Sequence, residues 1–491
     1  MRQSSSPSDG LFDGVLAAGP VHAATTDAAW VRALLDAEAA LARAAARTGL
    51  ATFADAAAVL TACAGLEVDP GALGAEAAAT GTPVVPLVER IRAAVPGPAA
   101  ALVHRGATSQ DIMDTATMLV ARRAVLALLA DLGAAVDLTA ELADRHRGTL
   151  MAGRTLLQQA LPTTFGLVAA GWLTGLDAAR RRLTEVRDHR LAAQLGGAAG
   201  TLAAYAPEAA DGPEAAAAGP EAAAAGPETA AGPEAAAGPE ASAGPEASAG
   251  PESAARPEAD LGVLMLAAFS AELGLAEPDL PWHTERTRIA DLAGALGSAA
   301  GAIAKVARDL ILLAQTEVGE VAEGGDGGGS STLPHKHNPV RAISAAAAAA
   351  QAPGLVATLL AAMPHEHQRA AGNWHAEWQP LRSLLRSTGS AAFQLRAALD
   401  GLRVDTGRMR ANLDLTRGAL LAERVAGALR PALGSEAHAV VAGAVARGDL
   451  AGDPAITAHL GPDRLAGLFD PAGYTGSAGA LIDRALRAAR R

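Results

Sequence analysis

The fold is decided by residues 284–320, which read TERTRIADLAGALGSAAGAIAKVARDLILLAQTEVGE. Large apolar side chains recur there at steps of three, four or seven residues, at Ile289, Leu292, Leu296, Ile303, Val306, Leu310 and Leu313. This spacing lines them along one face of a helix, and the alanines between them favour helix. The stretch predicts a single helix over 284–320, much longer than the average helix. Such a helix needs partners along most of its length, which indicates a helical bundle.

Other segments predict helices as well, whereas strand patterns are nearly absent. Residues 27–47 carry apolar side chains at helical spacing, and the run from Thr108 to Asp111 is typical of a helix N-cap before a helix reaching about Arg147. We therefore predict an all-α fold with three helical domains. They are an N-terminal domain over 1–107, a central long-helix bundle over 108–355, and a C-terminal domain over 356–491.

One segment of low complexity interrupts this pattern. Residues 207–258 repeat Gly-Pro-Glu followed by short runs of alanine and serine. Because Gly-Pro returns every six or seven residues, no helix can propagate through the segment, and it has no apolar face to bury. We predict a disordered insert or an extended surface loop; a tether that binds a partner or aids solubility is the functional alternative.

Composition excludes several classes of protein. The chain has 491 residues, of which 50% are hydrophobic, and a formal net charge of −12 that is concentrated in the repeat segment. No basic stripe is present for nucleic acid or anionic lipid, and Cys63, the one cysteine, cannot form an internal disulfide. Charged residues and glycines interrupt each apolar run, and the first residues lack the pattern of a secretory signal. We expect a cytoplasmic protein that binds neither nucleic acid nor membrane.

The richest chemistry lies in residues 327–339, which read GGGSSTLPHKHNP. Glycines let such a segment move and bring backbone N–H groups close to a ligand. Lys336 and Asn338 could together hold a carboxylate while a serine approaches the neighbouring carbon acid. Lysine occurs only at 305 and 336 in this arginine-rich chain, and asparagine only at 338, 373 and 412. A solvated, flexible loop is the alternative interpretation.

Two further polar stretches stand beside helix starts. Residues 104–115 read HRGATSQDIMDT, where hydroxyl groups at a helix N-terminus can either cap the helix or bind an anion. Residues 153–162 read GRTLLQQALP and place arginine, threonine and glutamine ahead of an apolar run. Neither stretch alone assigns a function.

The three stretches together, in this order, resemble the fumarase/aspartase superfamily. The third one, GSSTLPHKHNP, is close to that superfamily's G-S-S-x-M-P-x-K-x-N-P pattern, with Leu333 in the place of Met. Within the superfamily, the segments HRGATSQDIMDTA, PWHTER, KVARDLILLAQTEVGEVAE and GNWHAEW resemble the 3-carboxy-cis,cis-muconate cycloisomerases. The resemblance runs from about Asp27 to Tyr474, interrupted by the repeat segment.

The resemblance implies an all-α homotetramer whose active sites each combine the three stretches from three subunits. It also implies cofactor-free chemistry on a small polycarboxylate, by proton transfer alpha to a carboxylate through an aci-carboxylate intermediate. Carried over by position, the catalytic residues would be Ser330, which moves the proton, and Lys336, which with Asn338 holds the aci-carboxylate. The remaining substrate-binding residues would be His104, Thr108, Ser109, Arg154, Thr155, Gln158 and His335.

Departures from the superfamily pattern bear on the substrate. Many members have a Thr-His pair whose histidine protonates a basic leaving group, but here Thr155 is followed by Leu156, and Gln159 replaces a histidine that related cycloisomerases often carry. A carboxylate leaves without a proton because its conjugate acid has a pKa of about 4, so this change suits a cycloisomerase. Nitrite is a similarly weak base, so a nitrosuccinate lyase or another dicarboxylate lyase remains open. His337, where an arginine is usual, could mean a substrate with one fewer carboxylate.

Several histidines could suggest a metal site. His335 with His337, and His365 with His367, are each two residues apart, which is not the i,i+4 spacing of two ligands on a helix. We expect no metal at these positions and no other cofactor. His283 is expected near the start of the helix predicted over 284–320. A scaffold protein that has lost catalysis is the non-enzyme alternative, and the retained Ser330, Lys336 and Asn338 argue against it.

Overall fold

The structure is a computed structural model that describes residues 10–206, 260–324, 328–329 and 332–490. In the N-terminal part the helices are α1 Asp13–Leu16, α2 Pro20–Ala24, α3 Asp27–Arg47, α4 Phe53–Gly65, α5 Pro70–Thr80 and α6 Val84–Ala94. The central part contains α7 Ser109–Arg145, α8 Phe165–His189, α9 Leu261–Leu273, α10 Thr287–Leu313, α11 Val340–Ala349 and α12 Ala352–Ala362. The C-terminal part contains α13 Asn373–Leu399, α14 Thr406–Leu413, α15 Ala422–Leu433, α16 Glu436–Arg447, α17 Pro454–Thr457, α18 Pro462–Leu468 and α19 Ala478–Ala489.

Four long helices, α7, α8, α10 and α13, form the centre of a bundle, which confirms the all-α class. The predicted helix over 27–47 has the bounds of α3, and the predicted start of α7 at Thr108–Ser109 is also correct. Alanine is buried along every long helix, and its small side chain lets neighbouring backbones approach closely. The main hydrophobic core is therefore continuous from α3 through α13.

Helix α10 is shorter than the sequence predicts. All seven apolar positions from Ile289 to Leu313 are buried, but the helix covers Thr287–Leu313 rather than 284–320. At its start, the side chain of Arg286 turns into the core to form ion pairs. After Leu313 the chain makes a turn closed by Gly319 in a left-handed conformation, and the Glu320 N–H bonds back to the Leu313 carbonyl at 2.9 Å.

Two described stretches, Thr287–Leu313 and Val340–Ala362, are long and apolar enough to span a membrane by length and composition alone. The expectation that glycines and charged residues would interrupt every such run is wrong on this measure, because alanine raises the mean hydropathy of a stretch. The first stretch is α10 and the second is α11 with α12. Both pack against α13 inside the bundle.

The described residues also contain four strands in two antiparallel pairs. Strand β1 Leu150–Thr155 pairs with β2 Gln158–Thr164 in a hairpin, and the two-residue strands β3 Val321–Ala322 and β4 Arg403–Val404 pair with each other. The hairpin follows α7 and precedes α8. Sequence patterns missed it because its turn is Leu156–Leu157 rather than the usual asparagine and glycine.

The predicted division into three domains stays a prediction. Within 422–469 a separate small hydrophobic cluster forms around α15 and α16, whereas α13 belongs to the main core together with α7 and α10. The insert predicted over 207–258 lies outside the described residues.

Candidate active site

The first predicted stretch forms a tightly bonded turn at the start of α7. Asp111, the third residue of the helix, accepts the backbone N–H of Thr108 at 2.9 Å. Its carboxylate also accepts the N–H groups of Gly196 and Gly197 at 2.9 Å each, and pairs with Nε2 of His283 at 2.7 Å. One buried carboxylate therefore fixes the Thr108–Ser109 turn against two other segments, leaving both of these residues partly exposed.

His104 lies just before this turn in an unusual backbone conformation. Its φ is 62°, in the left-handed region that few residues other than glycine adopt. Both its backbone N–H and its ring Nδ1 contact the carboxylate of Glu38, at 3.1 and 2.6 Å. The His104 side chain is 15% exposed, whereas that of Glu38 is fully buried.

Below the turn lies a buried network of charges. The guanidinium of Arg286 pairs with Asp114 at 2.8 Å and with Glu377 at 2.5 Å, and the indole N–H of Trp374 donates to Asp114 at 3.0 Å. Burial alone would lower the pKa of Arg286, but the two carboxylates raise it above its ordinary value. Nε2 of His365 lies 3.3 Å from Glu377. The network holds the starts of α7, α10 and α13 together.

The second predicted stretch forms the turn of the β1–β2 hairpin. Thr155 and Gln158 are exposed beside the turn, and the side chains of Leu156 and Leu157 at its tip are also exposed. Both leucines have positive φ values, 51° and 65°. The exposed fraction of Leu156 is 97%, so no described residue of the same protomer covers the tip.

Arg154, predicted to bind substrate, is bonded inside the protomer. Its two terminal nitrogens donate to the carboxylate of Glu320 at 2.7 and 2.9 Å, and Glu320 is fully buried. The side-chain amide of Asn412 donates to the same carboxylate at 2.8 Å, and the backbone carbonyl of Asn412 accepts from the side-chain amide of Gln159. Arg154 therefore clamps the hairpin to Glu320, and its predicted role in substrate binding stays a prediction.

In the third predicted stretch, Ser330 lies outside the described residues, as does Ser331. The base of this segment is closed by Asn338, whose backbone N–H and side-chain amide both donate to the Gly328 carbonyl, at 2.8 and 3.1 Å. A Cβ at Gly328 would lie 2.1 Å from the Asn338 carbonyl oxygen, so only glycine fits there. His335 and Lys336 are exposed between these two points.

The first stretch lies at one end of the bundle in one protomer, and the second stretch and the described residues of the third lie at the other end. The Thr108 turn begins α7 and the hairpin follows its end, and a helix of 37 residues is about 55 Å long. The Thr108 turn also contacts the start of α10 through His283, whereas Lys336 comes after the far end of that helix, which is about 40 Å long over its 27 residues. Within the described residues, a single protomer therefore does not bring the Thr108 turn, the hairpin tip and Lys336 into one pocket.

Sequence reasoning missed most of the residues that support the site. Two of these residues could have been found: Asp111 completes the capping pattern that begins at Thr108, and His283 belongs to the PWHTER segment. Glu38 gave none, because a single glutamate in an alanine-rich helix is usually a solvated residue. Among the described residues, no group of three or more histidine, cysteine, aspartate or glutamate side chains could hold a metal ion.

Comparisons with known proteins agree with the motifs. A family model described as lyase matches residues 16–213 and 253–354. The chain is 40% identical to the 3-carboxy-cis,cis-muconate cycloisomerase of Bradyrhizobium diazoefficiens, over 98% of each chain. It is 43% identical to the nitrosuccinate lyase of Streptomyces davaonensis, over 97% of this chain and 94% of that protein.

Solved structures give the same result. The crystal structure of 3-carboxy-cis,cis-muconate lactonizing enzyme from Pseudomonas putida superimposes with a TM-score of 0.81 at 36% identity, covering 98% of this chain and 99% of that one. Fumarate lyase from Mesorhizobium superimposes with a TM-score of 0.77 at 31% identity, over 95% and 97% of the two chains. The chain therefore belongs to the lyase family of the fumarase/aspartase superfamily, as an enzyme of its cycloisomerase and lyase group.

Proposed function

We propose that the chain is a 3-carboxy-cis,cis-muconate cycloisomerase, converting that acid to 4-carboxymuconolactone without a cofactor. The tip of the hairpin carries the proposal that the leaving group needs no proton, and the similarity to the Bradyrhizobium diazoefficiens cycloisomerase over 98% of each chain favours the lactone among such reactions. Where a basic leaving group would need an acid, the described turn offers the hydrocarbon side chains of Leu156 and Leu157, and the Gln159 amide is bonded to Asn412. A carboxylate, the group that leaves when the lactone opens, needs no proton at neutral pH.

In the proposed mechanism, Ser330 delivers the proton to the carbon alpha to a carboxylate in the lactone-forming direction and removes it in reverse. Lys336 and Asn338 stabilise the negative charge of the aci-carboxylate. Thr108 and Ser109 bind a second carboxylate at the N-terminus of α7, where the helix dipole favours an anion. Thr155 and Gln158 contribute from the hairpin, and His335 lines the pocket.

We also propose that the active enzyme is a homotetramer with sites shared between subunits. The separation of the Thr108 turn from Lys336 along α10 supports this, because the residues of one site must then come from different copies. Arg154, bonded to Glu320, would hold the hairpin in the conformation in which it contacts another copy.

A nitrosuccinate lyase is the second candidate, and the similarity to the Streptomyces davaonensis enzyme favours it. Nitrite is also a weak base, so the leucine tip suits both reactions. The test is a paired assay on purified protein treated with a chelator. One arm follows loss of the diene absorbance of 3-carboxy-cis,cis-muconate, and the other follows nitrite release from nitrosuccinate.

We expect diene loss without nitrite release. Nitrite release without diene loss would replace the proposal by the second candidate. If neither reaction occurred, both functions would be wrong, and the chain's membership of the family would stand unchanged.

A further inference from the structure

Helix α11 begins directly after the stretch that carries Lys336 and Asn338, and its own N-cap residue makes no side-chain hydrogen bond. That residue is Pro339, whose side chain has no acceptor. The first N–H groups of a helix have no partner within the helix, and an unpaired N–H in the core is costly. Ala342, in this first turn, is fully buried. Its N–H must therefore find an acceptor elsewhere in the chain.

Glu323 supplies that acceptor from the other side of the stretch. One oxygen of its carboxylate accepts the N–H of Ala342 at 2.7 Å, and the other accepts the N–H of Arg341 at 3.0 Å. A side-chain oxygen that accepts first-turn N–H groups caps a helix. The two bonds join residues that are 19 and 18 positions apart in sequence. They therefore link the chain just before the third predicted stretch to the chain just after it.

The connection between this cap and Asn338 is short and closed by a hydrogen bond. The N–H of Val340 bonds to the Asn338 carbonyl at 2.9 Å, and Pro339 between them has φ −77° and ψ 71°. These are the dihedral angles of an inverse γ-turn, a three-residue turn closed by one hydrogen bond. A shift of the first turn of α11 would therefore move Asn338 with it.

Asn338 in turn holds the segment that contains Lys336. Its backbone N–H and its side-chain amide both donate to the Gly328 carbonyl. Next to this contact, Gly329 and His337 form an isolated antiparallel bridge. Lys336 is adjacent to His337 and two residues from Asn338, so the position of its backbone depends on both contacts.

Glu323 is itself attached to the body of the protein. Strand β3 ends one residue before it and pairs with β4, and Arg403 of β4 donates to the Glu323 carbonyl at 3.3 Å. At the next residue, a Cβ on Gly324 would lie 2.6 Å from the Gly401 carbonyl oxygen, so the two backbones are in close contact. The carboxylate of Glu323 therefore starts from a fixed point.

We propose that Glu323 is a positioning residue, which places Lys336 and Asn338 in the active site by joining the two ends of the stretch that carries them. The inference rests on the proposed function, since it gives Glu323 a role in the reaction assigned to those residues. The same two hydrogen bonds cap α11 and hold Lys336 where it stabilises the aci-carboxylate. Misplacing a catalytic group by about 1 Å can reduce a rate about 100-fold.

The first test compares two variants of Glu323 with a matched control on the full chain. E323A removes both hydrogen bonds to α11, whereas E323Q keeps one acceptor oxygen. Asp69 provides the control, because its carboxylate caps α5 with two similar bonds, to the N–H groups of Gly71 and Ala72 at 3.1 and 3.3 Å. Helix α5 packs on α3 and α6, in the N-terminal part of the chain.

With the substrate that the parent converts, E323A should reduce kcat roughly 10- to 100-fold with a smaller change in KM, because Lys336 is misplaced. The kcat of E323Q should lie between those of E323A and the parent. D69A should lower the thermal midpoint, as E323A does, and keep kcat near that of the parent. Near-normal kcat in E323A, an equal fall of kcat in D69A, or a rise of KM alone in E323A would overturn the proposal.

Hydrogen exchange, measured by mass spectrometry with fragmentation that resolves single amides, tests the same inference without any reaction. In E323A the amides of Arg341 and Ala342 should exchange faster in any case, since their acceptor is gone. The proposal also requires the amide of Asn338 to exchange several-fold faster in E323A and at the parent rate in D69A.

An Asn338 rate that E323A leaves unchanged would show that Glu323 only caps α11, and would overturn the proposal. This outcome is distinct from a failure of the proposed function, which would appear as a parent enzyme that converts neither substrate.

Discussion

The two ends of the bundle are built differently. At the end where α7 begins, His104, Asp111 and Arg286 are each held by one or more buried carboxylates or backbone groups of the same chain. At the opposite end, Lys336 and the tip of the hairpin are exposed. The first end is complete within one protomer, whereas the second presents its reactive groups to the outside.

This difference follows from the chemistry that each end is proposed to perform. A carboxylate bound at the start of a helix needs fixed donors, and a buried network supplies them without rearrangement. Groups that must reach a pocket in another copy have to project from their own chain. The strained turn at Leu156 and Leu157 is exposed in this way, and so are His335 and Lys336.

The largest expected effect comes from the serine that is proposed to move the proton. Changing Ser330 to alanine should reduce kcat by about three orders of magnitude or more, because the group that moves the proton is lost. Substrate binding, measured by calorimetry, should change little. Ser331 provides the matched control, since it is the adjacent hydroxyl; S331A should keep most of the activity. Near-normal turnover in S330A would remove Ser330 from the mechanism.

The next effect concerns stability at the start of α7. The variant R286Q leaves Asp114 and Glu377 buried without their cation, and it should lower the free energy of unfolding by roughly 3–5 kcal/mol. R288Q removes a half-buried arginine two residues away, whose pKa is lowered by burial, and should cost much less. If R286Q and R288Q lowered the free energy of unfolding equally in chemical denaturation, the ion pairs of Arg286 with Asp114 and Glu377 would contribute no more to stability than the contacts of Arg288.

A similar test applies to the clamp of the hairpin. R154M leaves Glu320 buried and unpaired, and should both destabilise the chain by a few kcal/mol and lower activity. The double variant R154M/E320M removes both charges and should recover part of the stability. If R154M instead keeps the stability of the parent but raises KM alone, Arg154 is a substrate ligand rather than a clamp.

The smallest effect should come from the turn itself. Replacing Leu156 by asparagine and Leu157 by glycine puts residues that tolerate the left-handed conformation in the place of two leucines. Unfolding of the protomer should therefore become slightly harder. Activity or tetramer stability should fall if the leucines contact another copy. A variant that gains stability and keeps full activity and assembly would show that the tip has no partner.

The sequence predicts the fold better than it predicts the contacts of the site. The limits of α3 and the start of α7 follow from local patterns, because apolar spacing and capping act over a few residues. The ends of α10 do not, since the inward turn of Arg286 depends on Asp114 and Glu377, which are distant in sequence. The pairing of Glu38 with His104 and of Arg154 with Glu320 was hidden for the same reason.

The most direct test of the difference between the two ends is to mix two inactive variants. One carries T108A/S109A at the start of α7, and the other carries S330A; both are denatured, mixed in equal amounts and refolded together. If each site takes these residues from different copies, random assembly should restore about a quarter of the parent activity. Mixtures that stay as inactive as the separate variants would contradict shared sites and show that each protomer completes its own.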